Sequence, residues 1–404
     1  MADKTPQILK GFRDYLPEQQ MARVRIVRKI SEVFEKFGFE PMDTPALESN
    51  ELFSGKLGED EKLMYKFKDL GDREVALRYD LTVPLVRFIS ENKNLPKPFK
   101  RYQIGNVWRA DKPQKARYRE FMQCDIDIVG SGSSLADAEI MACLCKALEA
   151  LGIQNYELRV NDRKTLSIFA VEQIRVIDKV DKIGVDGVIK MLKENGASDK
   201  TITDVRNILA DKVEMPDEVK RLVELVVAQG IDEKKIKFDP SIARGLDYYT
   251  STVFEFVLKD NPKFGSIAGG GRYDNLIGDI AGTQTPAVGG SIGLDRLFAA
   301  LEEMAKLPKI SGVDAIVFNL DEKLTDDYLK IAADLRNAGI ATEFYYETVK
   351  LDKQFKYAEA KNIKLAVIYG SEEAKNKMVN IKNLLTKQQI TVKLPELIEK
   401  LKSL

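Results

Sequence analysis

Residues 100–129, KRYQIGNVWRADKPQKARYREFMQCDIDIV, decide the fold because two strand patterns flank one long charged connection. The strands are predicted at residues 100–109 and 121–129. The second strand alternates between apolar and polar residues, so three polar side chains share one sheet face: Gln123, Asp125 and Asp127. Acidic residues prefer exposure, and the pattern alone therefore favours a solvated face over a polar pocket, by roughly two to one.

The connection, ADKPQKARYRE at residues 110–120, is longer than the ~2–5 residues of most hairpin loops. Four basic residues lie in it: Lys112, Lys115, Arg117 and Arg119. Two readings stay open from the residues alone. The connection is either a solvated charged loop or a loop that folds over an anion.

The composition predicts a soluble protein of two or three domains, with 404 residues, 44% hydrophobic and 31% charged. No apolar run approaches the ~18 residues of a membrane helix, and the N-terminus has no secretory signal pattern. The 63 basic and 63 acidic residues give no overall basic footprint for nucleic acid. Three cysteines without a CxxC pair indicate a reducing cytoplasm.

The chain contains no histidine. That absence excludes Ser-His-Asp and Cys-His catalysis and histidine-ligated metal sites. An enzyme of this composition works with arginine, lysine, carboxylates, hydroxyls or a bound metal. Chemistry on phosphates fits that set, because positioning and charge stabilisation do most of the work there.

Outside this strand pair, apolar periodicity predicts helices at residues 17–37 and 135–151. Strands are predicted at residues 76–84 and 156–162, and an edge segment is predicted around Pro45. Strand-like patterns return in three later segments: 239–258, 265–282 and 288–304. After a linker at residues 307–312, strands alternate with helices, which predicts a small α/β domain with a partly parallel sheet.

Glycine-rich segments leave further alternatives open. AGGGRYDNL at residues 268–276 is neither a dinucleotide fingerprint nor a Walker A motif, and a tight β-turn has about even odds. ARGLDYYTS at residues 243–251 contains Arg244, for which a surface ion pair is the simple reading. Tyr248 and Tyr249 in the same segment are predicted to point to opposite faces of a strand.

Together and in this order, the segments resemble the class II aminoacyl-tRNA synthetases and, among them, the histidyl-tRNA synthetase family. GFRDYLP at residues 11–17, with the helix that follows, resembles motif 1, which forms the dimer interface. Residues 100–130 resemble motif 2, and VGGSIGLDRL at residues 288–297 resembles motif 3. ARGLDYYT and AGGGRYDNL resemble the two histidine-specific signatures. The resemblance covers nearly the whole chain.

The resemblance implies an α+β fold with an antiparallel catalytic sheet flanked by helices. It implies a catalytic core at residues 1–162 and 236–308, interrupted by a helical insertion at residues 163–235. The insertion is expected to contact the tRNA acceptor arm. Residues 312–404 resemble the α/β anticodon-binding domain, most clearly at KLDKQFKYAEAKNIKLAVIYGSEE.

The resemblance also implies a reaction in two steps, activation of L-histidine by ATP and transfer of histidine to tRNA(His). It further implies which residues contact the substrates. Arg109 is expected at the α-phosphate and the histidine carboxylate, where its planar fork suits oxyanions. Arg117 and Arg296 are expected at the β- and γ-phosphates, Phe121 against adenine, and Arg244 across the α-phosphate. The expected histidine pocket comprises Asp80, Thr82, Arg109, Gln123, Asp127, Arg244, Tyr248, Tyr249 and Tyr273.

Within this pocket, Asp127 and Tyr249 are expected to read the imidazole nitrogens, while Asp80 and Gln123 meet the α-amino group. ATP is expected to arrive with Mg²⁺ as its substrate complex, with no metal ligand from protein side chains and no tightly bound prosthetic group. The resemblance further implies a cytoplasmic homodimer with no membrane partner.

Three residues depart from the family pattern. Ala116 stands where the motif 2 loop usually has glycine, Met122 where relatives often have an aromatic residue or histidine, and Asp295 where motif 3 usually has glutamate. None of these departures removes a proposed chemical group.

Two alternatives belong to other functional classes. A non-catalytic paralogue, such as the regulatory subunit of ATP phosphoribosyltransferase, would bind histidine as a signal. Such proteins generally lack ARGLDYYT and the C-terminal domain, which this chain keeps. A synthetase-like module attached to a regulatory kinase is disfavoured because no kinase signature is present.

Overall fold

A computed structural model describes residues 6–55, 58–113, 116–210, 212–242, 248–305, 307 and 311–404. The chain forms two compact units. The first contains the N-terminal stretch up to residue 14 together with residues 23–306. The second contains residues 15–22 and 307–404. The predicted domain boundaries, including those of the insertion, stay predictions.

The first half of the chain has these elements in order: α1 (Pro17–Lys36), β1 (Glu40–Pro41), β2 (Leu47–Ser49), β3 (Lys66–Lys68), β4 (Glu74–Leu77), α2 (Thr82–Glu91), β5 (Phe99–Trp108), β6 (Glu120–Val129), α3 (Ser134–Ala150), β7 (Tyr156–Asp162), α4 (Val171–Ile177), α5 (Val180–Glu194) and α6 (Asp199–Leu209).

The later elements are α7 (Asp217–Ala228), β8 (Ile236–Phe238), β9 (Thr252–Leu258), β10 (Ser266–Arg272), α8 (Leu276–Ala281), β11 (Ala287–Gly293), α9 (Leu294–Glu303), β12 (Ala315–Val317), α10 (Thr325–Asn337), β13 (Thr342–Phe344), α11 (Leu351–Ala360), β14 (Leu365–Ile368), α12 (Ser371–Asn376), β15 (Met378–Asn383), β16 (Gln389–Lys393) and α13 (Leu397–Lys402). Short 3₁₀ turns connect several of them: Asn50–Leu52, Gly58–Leu63, Arg163–Leu166, Glu233–Lys235, Pro262–Phe264, Glu322–Leu324 and Leu394–Glu396.

An eight-stranded sheet organises the first unit, in the order β1-β5-β6-β11-β10-β9-β7-β8. Its six central strands pair antiparallel, while β1 and β8 pair parallel at the two edges. The hairpin partners β5 and β6 pair over their full length, from Phe99 opposite Val129 to Trp108 opposite Glu120. The predicted antiparallel sheet with flanking helices is confirmed.

Helix α3 packs on the apolar face of this sheet and is buried along most of its length. Leu144 and Ile140 of α3 lie against Gly290 of β11. The helix can approach so closely because β10 and β11 carry glycines where they face each other, with Gly270 opposite Gly290. The glycine triplet at 269–271 therefore lies inside a strand, and the β-turn reading is wrong.

The segment at residues 163–235 is mainly helical, as expected for the insertion. Apolar side chains from α4, α5 and α6 form a separate small core that includes Ile177, Leu192 and Val205. Helix α7 packs instead against α3. The helix α5 is kinked at Gly184, whose φ of 70° lies in the left-handed region.

The second unit contains a five-stranded sheet in the order β13-β12-β14-β15-β16. Strands β13, β12 and β14 pair parallel, and β15 and β16 continue the sheet antiparallel. Val317, Tyr328 and Val367 are fully buried in its core. The predicted α/β domain with a partly parallel sheet is confirmed, although β16 and α13 were not predicted.

Of the other local predictions, some are confirmed and one is largely wrong. The predicted helices at 17–37 and 135–151 and the strand at 156–162 are confirmed within one residue at each end. The prediction of a strand entering a turn at residues 76–84 is right only at its start, because β4 ends at Leu77 and α2 begins at Thr82. Among the helices that the structure describes, none is long and apolar enough to cross a bilayer.

A substitution at Gly270 tests the close packing of β10. A Cβ atom at this position would lie 2.6 Å from Gly290 Cα and 2.8 Å from Phe254 Cζ. Since strand backbone cannot yield cheaply, Gly270→Ala is expected to lower the free energy of unfolding by about 1–3 kcal/mol or more. Urea denaturation of the full chain measures this loss.

Gly293→Ala is the matched control, because a Cβ there meets only Ile267 O at 3.7 Å, an ordinary contact. Its cost is expected to stay below about 1 kcal/mol. Equal urea midpoints of unfolding for wild type and Gly270→Ala would contradict the close packing described for these strands.

Candidate active site

Two adjoining cavities open over the polar face of the central strands. The first, called here the arginine cavity, has a volume of about 160 Å³ and is lined by Arg109, Arg117 and Arg296. The second, called the carboxylate cavity, has a volume of about 380 Å³ and is lined by several aspartates, among them Asp80, Asp125 and Asp127. Both cavities are lined by a shared set: Arg109, Asp111, Arg117, Gln123, Gly269 and Ser291.

Arg109 follows β5 and lies at the junction of the cavities. Its Nε donates to the backbone oxygen of Tyr79 at 3.1 Å. The guanidinium carbon lies 4.2 Å from the ring centroid of Tyr79 and 5.2 Å from that of Phe121. The two rings and the backbone contact hold the cationic head in place between the cavities.

The other two arginines come from separate parts of the chain. Arg117, in the β5–β6 connection, pairs with Asp111 at 3.1 Å. Arg296, in α9, donates to Ser266 O at 2.6 Å. Three guanidinium groups thus line one small cavity, which suits a ligand with several negative charges. The Arg117 side chain lines this cavity and is 39% exposed, so both readings of the connection stay open. Lys115 lies outside the described residues.

Asp295 explains how α9 is anchored beside this cavity. It pairs with Arg23 of α1, and both side chains are buried. Its second oxygen accepts from the backbone N–H of Met122 at 2.6 Å. One carboxylate therefore connects α1, β6 and α9.

The carboxylate cavity collects the residues predicted for the amino-acid pocket. All of the described ones line it: Asp80, Thr82, Arg109, Gln123, Asp127, Tyr248, Tyr249 and Tyr273. The remaining member, Arg244, lies outside the described residues. The predicted roles of these side chains stay predictions.

The solvated-face reading of β6 is wrong. Asp125 is 4% exposed and Asp127 is 2% exposed. The reason is Arg101, which is opposite Asp127 in the register of β5 and β6 and is itself completely buried. Its guanidinium pairs with Asp127 at 2.7 Å and donates to Leu81 O at 3.0 Å. A buried acid paired in this way avoids an uncompensated charge.

Each of the other polar groups has a defined position. Asp80 accepts from the backbone N–H groups of Thr82 and Val83, at 3.1 and 2.9 Å, at the start of α2. Tyr273 donates to Asp127. Tyr248 and Tyr249 precede β9, and their ring centroids lie 5.0 Å apart, so the prediction that they point to opposite faces of a strand is wrong.

Burial controls the protonation of the cavity. Burial raises the pKa of Asp80 and of Asp127, and the Arg101 guanidinium partly opposes both shifts. Burial raises the pKa of Asp125 to about 7, again against the attraction of Arg101. Burial also raises the pKa values of Tyr248 and Tyr273 well above the ordinary range, so these phenols stay neutral hydrogen-bonding groups.

Several buried acceptors face this cavity without a partner among the described residues: Asp80 Oδ2, Gln123 Oε1 and Asp125 Oδ1. Buried polar atoms are nearly always hydrogen-bonded in proteins. Acceptors in surplus beside acids suit a ligand that brings N–H donors and positive charge. Within the described residues, no group of three or more Cys, Asp or Glu residues is placed to hold a metal ion.

Sequence reasoning missed Arg101, Asp125, Tyr79 and Ser291 as parts of the site. The alternation of β6 already placed Asp125 beside Gln123 and Asp127, which was the available signal. No local signal marked Arg101, because its importance depends on the register of two paired strands.

Ala116, in the connection, has a φ of 61° and is buried beside the arginine cavity. The left-handed region costs a residue with a Cβ about 1–2 kcal/mol. The departure from glycine at this position therefore places a strained residue in the loop.

Comparisons with known proteins identify the family and the fold. A family model described as histidyl-tRNA synthetase matches residues 11–173 and 167–297, and one described as anticodon binding domain matches residues 314–404. A curated histidine–tRNA ligase of Rhodopirellula baltica is 40% identical over 417 residues, covering 95% of this chain and 94% of the relative.

Among solved structures, histidyl-tRNA synthetase from Nostoc sp. PCC 7120 superposes with a TM-score of 0.85 at 30% identity, covering 100% of this chain and 99% of that chain. A Bacillus halodurans protein, described as an ATP phosphoribosyltransferase regulatory subunit/histidyl-tRNA synthetase, reaches a TM-score of 0.71 at 20% identity, covering 89% and 96%. The second likeness concerns the fold alone.

Because the pKa of Asp125 is raised, the difference in unfolding free energy between Asp125→Asn and wild type should depend on pH. Between about pH 4 and pH 7 the folded chain keeps a proton on this group that the unfolded chain has lost. The contribution of Asp125 to stability therefore falls as the pH rises through this window and is constant above it. Asp125→Asn removes the contribution, so its stability relative to wild type should rise across the window by on the order of a few kcal/mol.

Urea unfolding at pH 5, 6, 7 and 8 measures the difference. Asp72→Asn is the control, because the Asp72 side chain is 83% exposed, and its difference from wild type should stay flat. A flat difference for Asp125→Asn as well would show that the folded and unfolded chains hold this proton equally.

Proposed function

The chain belongs to the histidyl-tRNA synthetase family, and on that premise we propose that it is a ligase that joins L-histidine to tRNA(His). The observation that carries the proposal is the junction of the two cavities at Arg109. A cationic cavity for a nucleoside triphosphate adjoins an acidic cavity for an amino acid. The reacting groups, a phosphate and a carboxylate, then meet at one guanidinium.

ATP occupies the arginine cavity in this proposal. Arg109 binds the α-phosphate, and Arg117 and Arg296 bind the β- and γ-phosphates, since these groups line the same space. Phe121 lines the cavity too and offers its ring to adenine. Mg²⁺ enters with ATP as part of the substrate and is held by the phosphates.

Histidine occupies the carboxylate cavity. Asp127 and Tyr249 bind the two imidazole nitrogens, with Tyr273 fixing the orientation of Asp127 by its hydrogen bond. Asp80 and Gln123 accept from the α-ammonium group through the oxygens that have no partner in the described part of the chain. Tyr248 and Thr82 line the same cavity and complete its polar wall. Such a site rejects apolar isosteres by about 10⁴–10⁵, because its buried polar groups would be left unpaired.

The reaction then has two steps. A carboxylate oxygen of histidine forms a bond to the α-phosphorus of ATP, and pyrophosphate leaves with the electrons of the broken P–O bond. The terminal ribose hydroxyl of tRNA next attacks the adenylate carbonyl and expels AMP. The first step needs no protein base, because the carboxylate is already ionised at neutral pH.

Arg109 stabilises the negative charge that develops on the α-phosphate. By resemblance, Arg244 shares this task, although it lies outside the described residues. An arginine-based site also explains how a chain without histidine can perform the chemistry.

The second unit provides the tRNA contact in this proposal, since residues 314–404 match the anticodon-binding family model. The homodimer is carried by the resemblance of residues 11–17 and the following helix to motif 1. The buried cysteines Cys124, Cys143 and Cys145 are unpaired, which fits a cytoplasmic enzyme.

The histidine-sensing paralogue makes a different prediction from the ligase. It would bind histidine but would neither exchange pyrophosphate nor charge tRNA. ATP–pyrophosphate exchange that depends on histidine, followed by charging of tRNA(His), separates the two. Binding of histidine without exchange by the wild-type chain would favour the paralogue.

Arg109→Ala tests the junction directly. Removing a preorganised charge stabiliser costs about 10²–10³-fold in rate, and we expect a loss of that size or larger in histidine-dependent exchange. Arg109→Lys keeps the charge without the planar fork, so its exchange rate should lie between those of wild type and Arg109→Ala.

Arg221→Ala serves as the control, because this α7 side chain is 65% exposed in a surface pair with Glu224. Its exchange rate should match wild type. Undiminished exchange by Arg109→Ala would remove the support for the assignment of both cavities.

A further inference from the structure

The segment ahead of α1 contacts the β5–β6 connection, although the two are far apart in the sequence. Residues 6–16 of this segment contain neither helix nor strand. Three of them, Lys10, Gly11 and Arg13, bind the connection by hydrogen bonds. We call these three residues the N-terminal clamp. The connection in turn lines the arginine cavity, so the clamp lies directly behind one wall of the candidate site.

The first contact of the clamp is with Arg119, near the end of the connection. The backbone N–H of Arg119 donates to Gly11 O at 2.7 Å, and its Nη1 donates to Lys10 O at 3.3 Å. The Nε of the same side chain donates to Asp111 O at 3.1 Å, near the start of the connection. The Asp111 carboxylate pairs with Arg117 at 3.1 Å. A continuous series of contacts therefore joins the clamp to one of the arginines that line the cavity.

The second contact is independent of the first. Arg13 Nη1 donates to the Tyr118 hydroxyl at 3.1 Å, and the Arg13 guanidinium carbon lies 5.9 Å from the centroid of that ring. Hydrogen bonds with a charged donor are stronger than those between neutral groups. Tyr118 itself lines the arginine cavity. The clamp thus holds a second residue of the same cavity wall.

Gly11 allows the segment to approach the connection this closely. Its φ of 90° lies in the left-handed region, which residues with a Cβ rarely adopt. A Cβ at this position would also lie 2.9 Å from Cγ and Cδ of Arg119 and 3.0 Å from Pro113 Cγ. Both the backbone conformation and the space beside it therefore require glycine.

The position of Arg117 depends on the connection that carries it. Its side chain is 39% exposed and pairs with Asp111, a residue of the same connection. Without support from outside the connection, both partners of this pair would move together. A loop that is held before its ligand arrives loses less conformational freedom on binding, which raises the affinity.

We propose that the N-terminal clamp positions the β5–β6 connection so that Arg117 faces the terminal phosphates of a bound nucleoside triphosphate. The inference rests on the proposed function, which assigns the β- and γ-phosphates of ATP to Arg117 and Arg296. Gly11 and Arg13 are positioning residues in this role, since neither is among the described residues that line the arginine cavity. The clamp acts on the triphosphate and leaves the carboxylate cavity unchanged.

Two nucleotides separate this role from a general effect on the cavity. ATP carries the β- and γ-phosphates, whereas AMP keeps the adenosine and the α-phosphate alone. Their dissociation constants are measured by calorimetry on the full chain, at one fixed Mg²⁺ concentration. The single tryptophan, Trp108, precedes Arg109, and its fluorescence provides a second measurement. The KM values for ATP and for histidine in pyrophosphate exchange complete the set.

Gly11→Ala displaces the connection without changing any charge. We expect ATP to bind about 10- to 100-fold more weakly, as for the loss of a hydrogen bond with a charged donor. The affinity for AMP and the KM for histidine should stay close to those of wild type. Urea unfolding of the same variant shows whether its fold is intact.

Two milder variants test the second contact. Arg13→Met keeps the aliphatic stem and removes the donor, and Tyr118→Phe removes only the hydroxyl. Each should weaken ATP about 2- to 10-fold, and the double variant should lose no more than either single one. Glu302→Gln is the matched control, because Glu302 pairs with Arg13 at 3.8 Å without contributing to the bond with Tyr118. Its affinity for ATP should equal that of wild type.

A double-mutant cycle tests whether the clamp acts through Arg117. In an Arg117→Ala background no guanidinium remains to be positioned, so adding Gly11→Ala should have little further effect on ATP binding. A purely structural role of the segment would instead weaken ATP by the same factor in both backgrounds.

The contrary outcomes are distinct. Equal weakening of ATP and AMP in the clamp variants would overturn the proposal, and so would unchanged ATP affinity in Gly11→Ala, Arg13→Met and Tyr118→Phe. If the wild-type chain binds ATP but shows no histidine-dependent exchange, the proposed function fails, while the comparison of ATP with AMP still decides the role of the clamp. Failure of the wild-type chain to bind ATP would refute both.

Discussion

The structure depends on one buried charge arrangement, in which Arg101 of β5 lies between the acids of β6 and the start of α2. Removing a carboxylate from water costs several kcal/mol, and attraction to a neighbouring cation repays this only when the geometry is close. The 2.7 Å pair with Asp127 and the bond to Leu81 O meet that condition. Arg101 and, at Asp80, Arg109 only partly oppose the rise in the pKa values of these acids. Asp80 Oδ2 and Asp125 Oδ1 have no hydrogen-bond partner among the described residues, which suits a ligand that brings N–H donors. In the proposed function, the ammonium and imidazole groups of histidine supply these donors.

The strands beside these acids are built from glycine for a physical reason. A Cβ at Gly289 would overlap the Asp127 carboxylate, with its Cγ at 2.8 Å. A Cβ at Gly271 would lie 2.9 Å from the ring of Tyr249. The backbone of β10 and β11 therefore forms one wall of the cavity directly, and the polar side chains of β6 keep their space. Glycine serves close approach here, whereas the left-handed conformation occurs in the connection, at Ala116.

How far the sequence could predict this arrangement depends on the range of the interaction. Periodicity placed α1, α3, β6 and β7 correctly, because each pattern lies within one element. It placed Gln123, Asp125 and Asp127 on one face but could not say what covers that face. The answer lay in Arg101, whose partner is set by strand pairing, and in Tyr248 and Tyr273, which arrive from distant segments. Ser291 was visible only as a small residue in motif 3, since its place beside both cavities follows from the register of β11 against β6.

Asp295 connects elements that line the two cavities to the rest of the first unit. The two oxygens of its carboxylate contact the Arg23 guanidinium and the Met122 N–H. The length of the Asp295 side chain must therefore match the spacing of α9, α1 and β6. Glutamate, usual at this position in the family, would add one methylene to a buried group. Arg296 follows Asp295 on α9 and Gln123 follows Met122 on β6, so this one side chain connects the helix that carries Arg296 to the strand that carries Gln123.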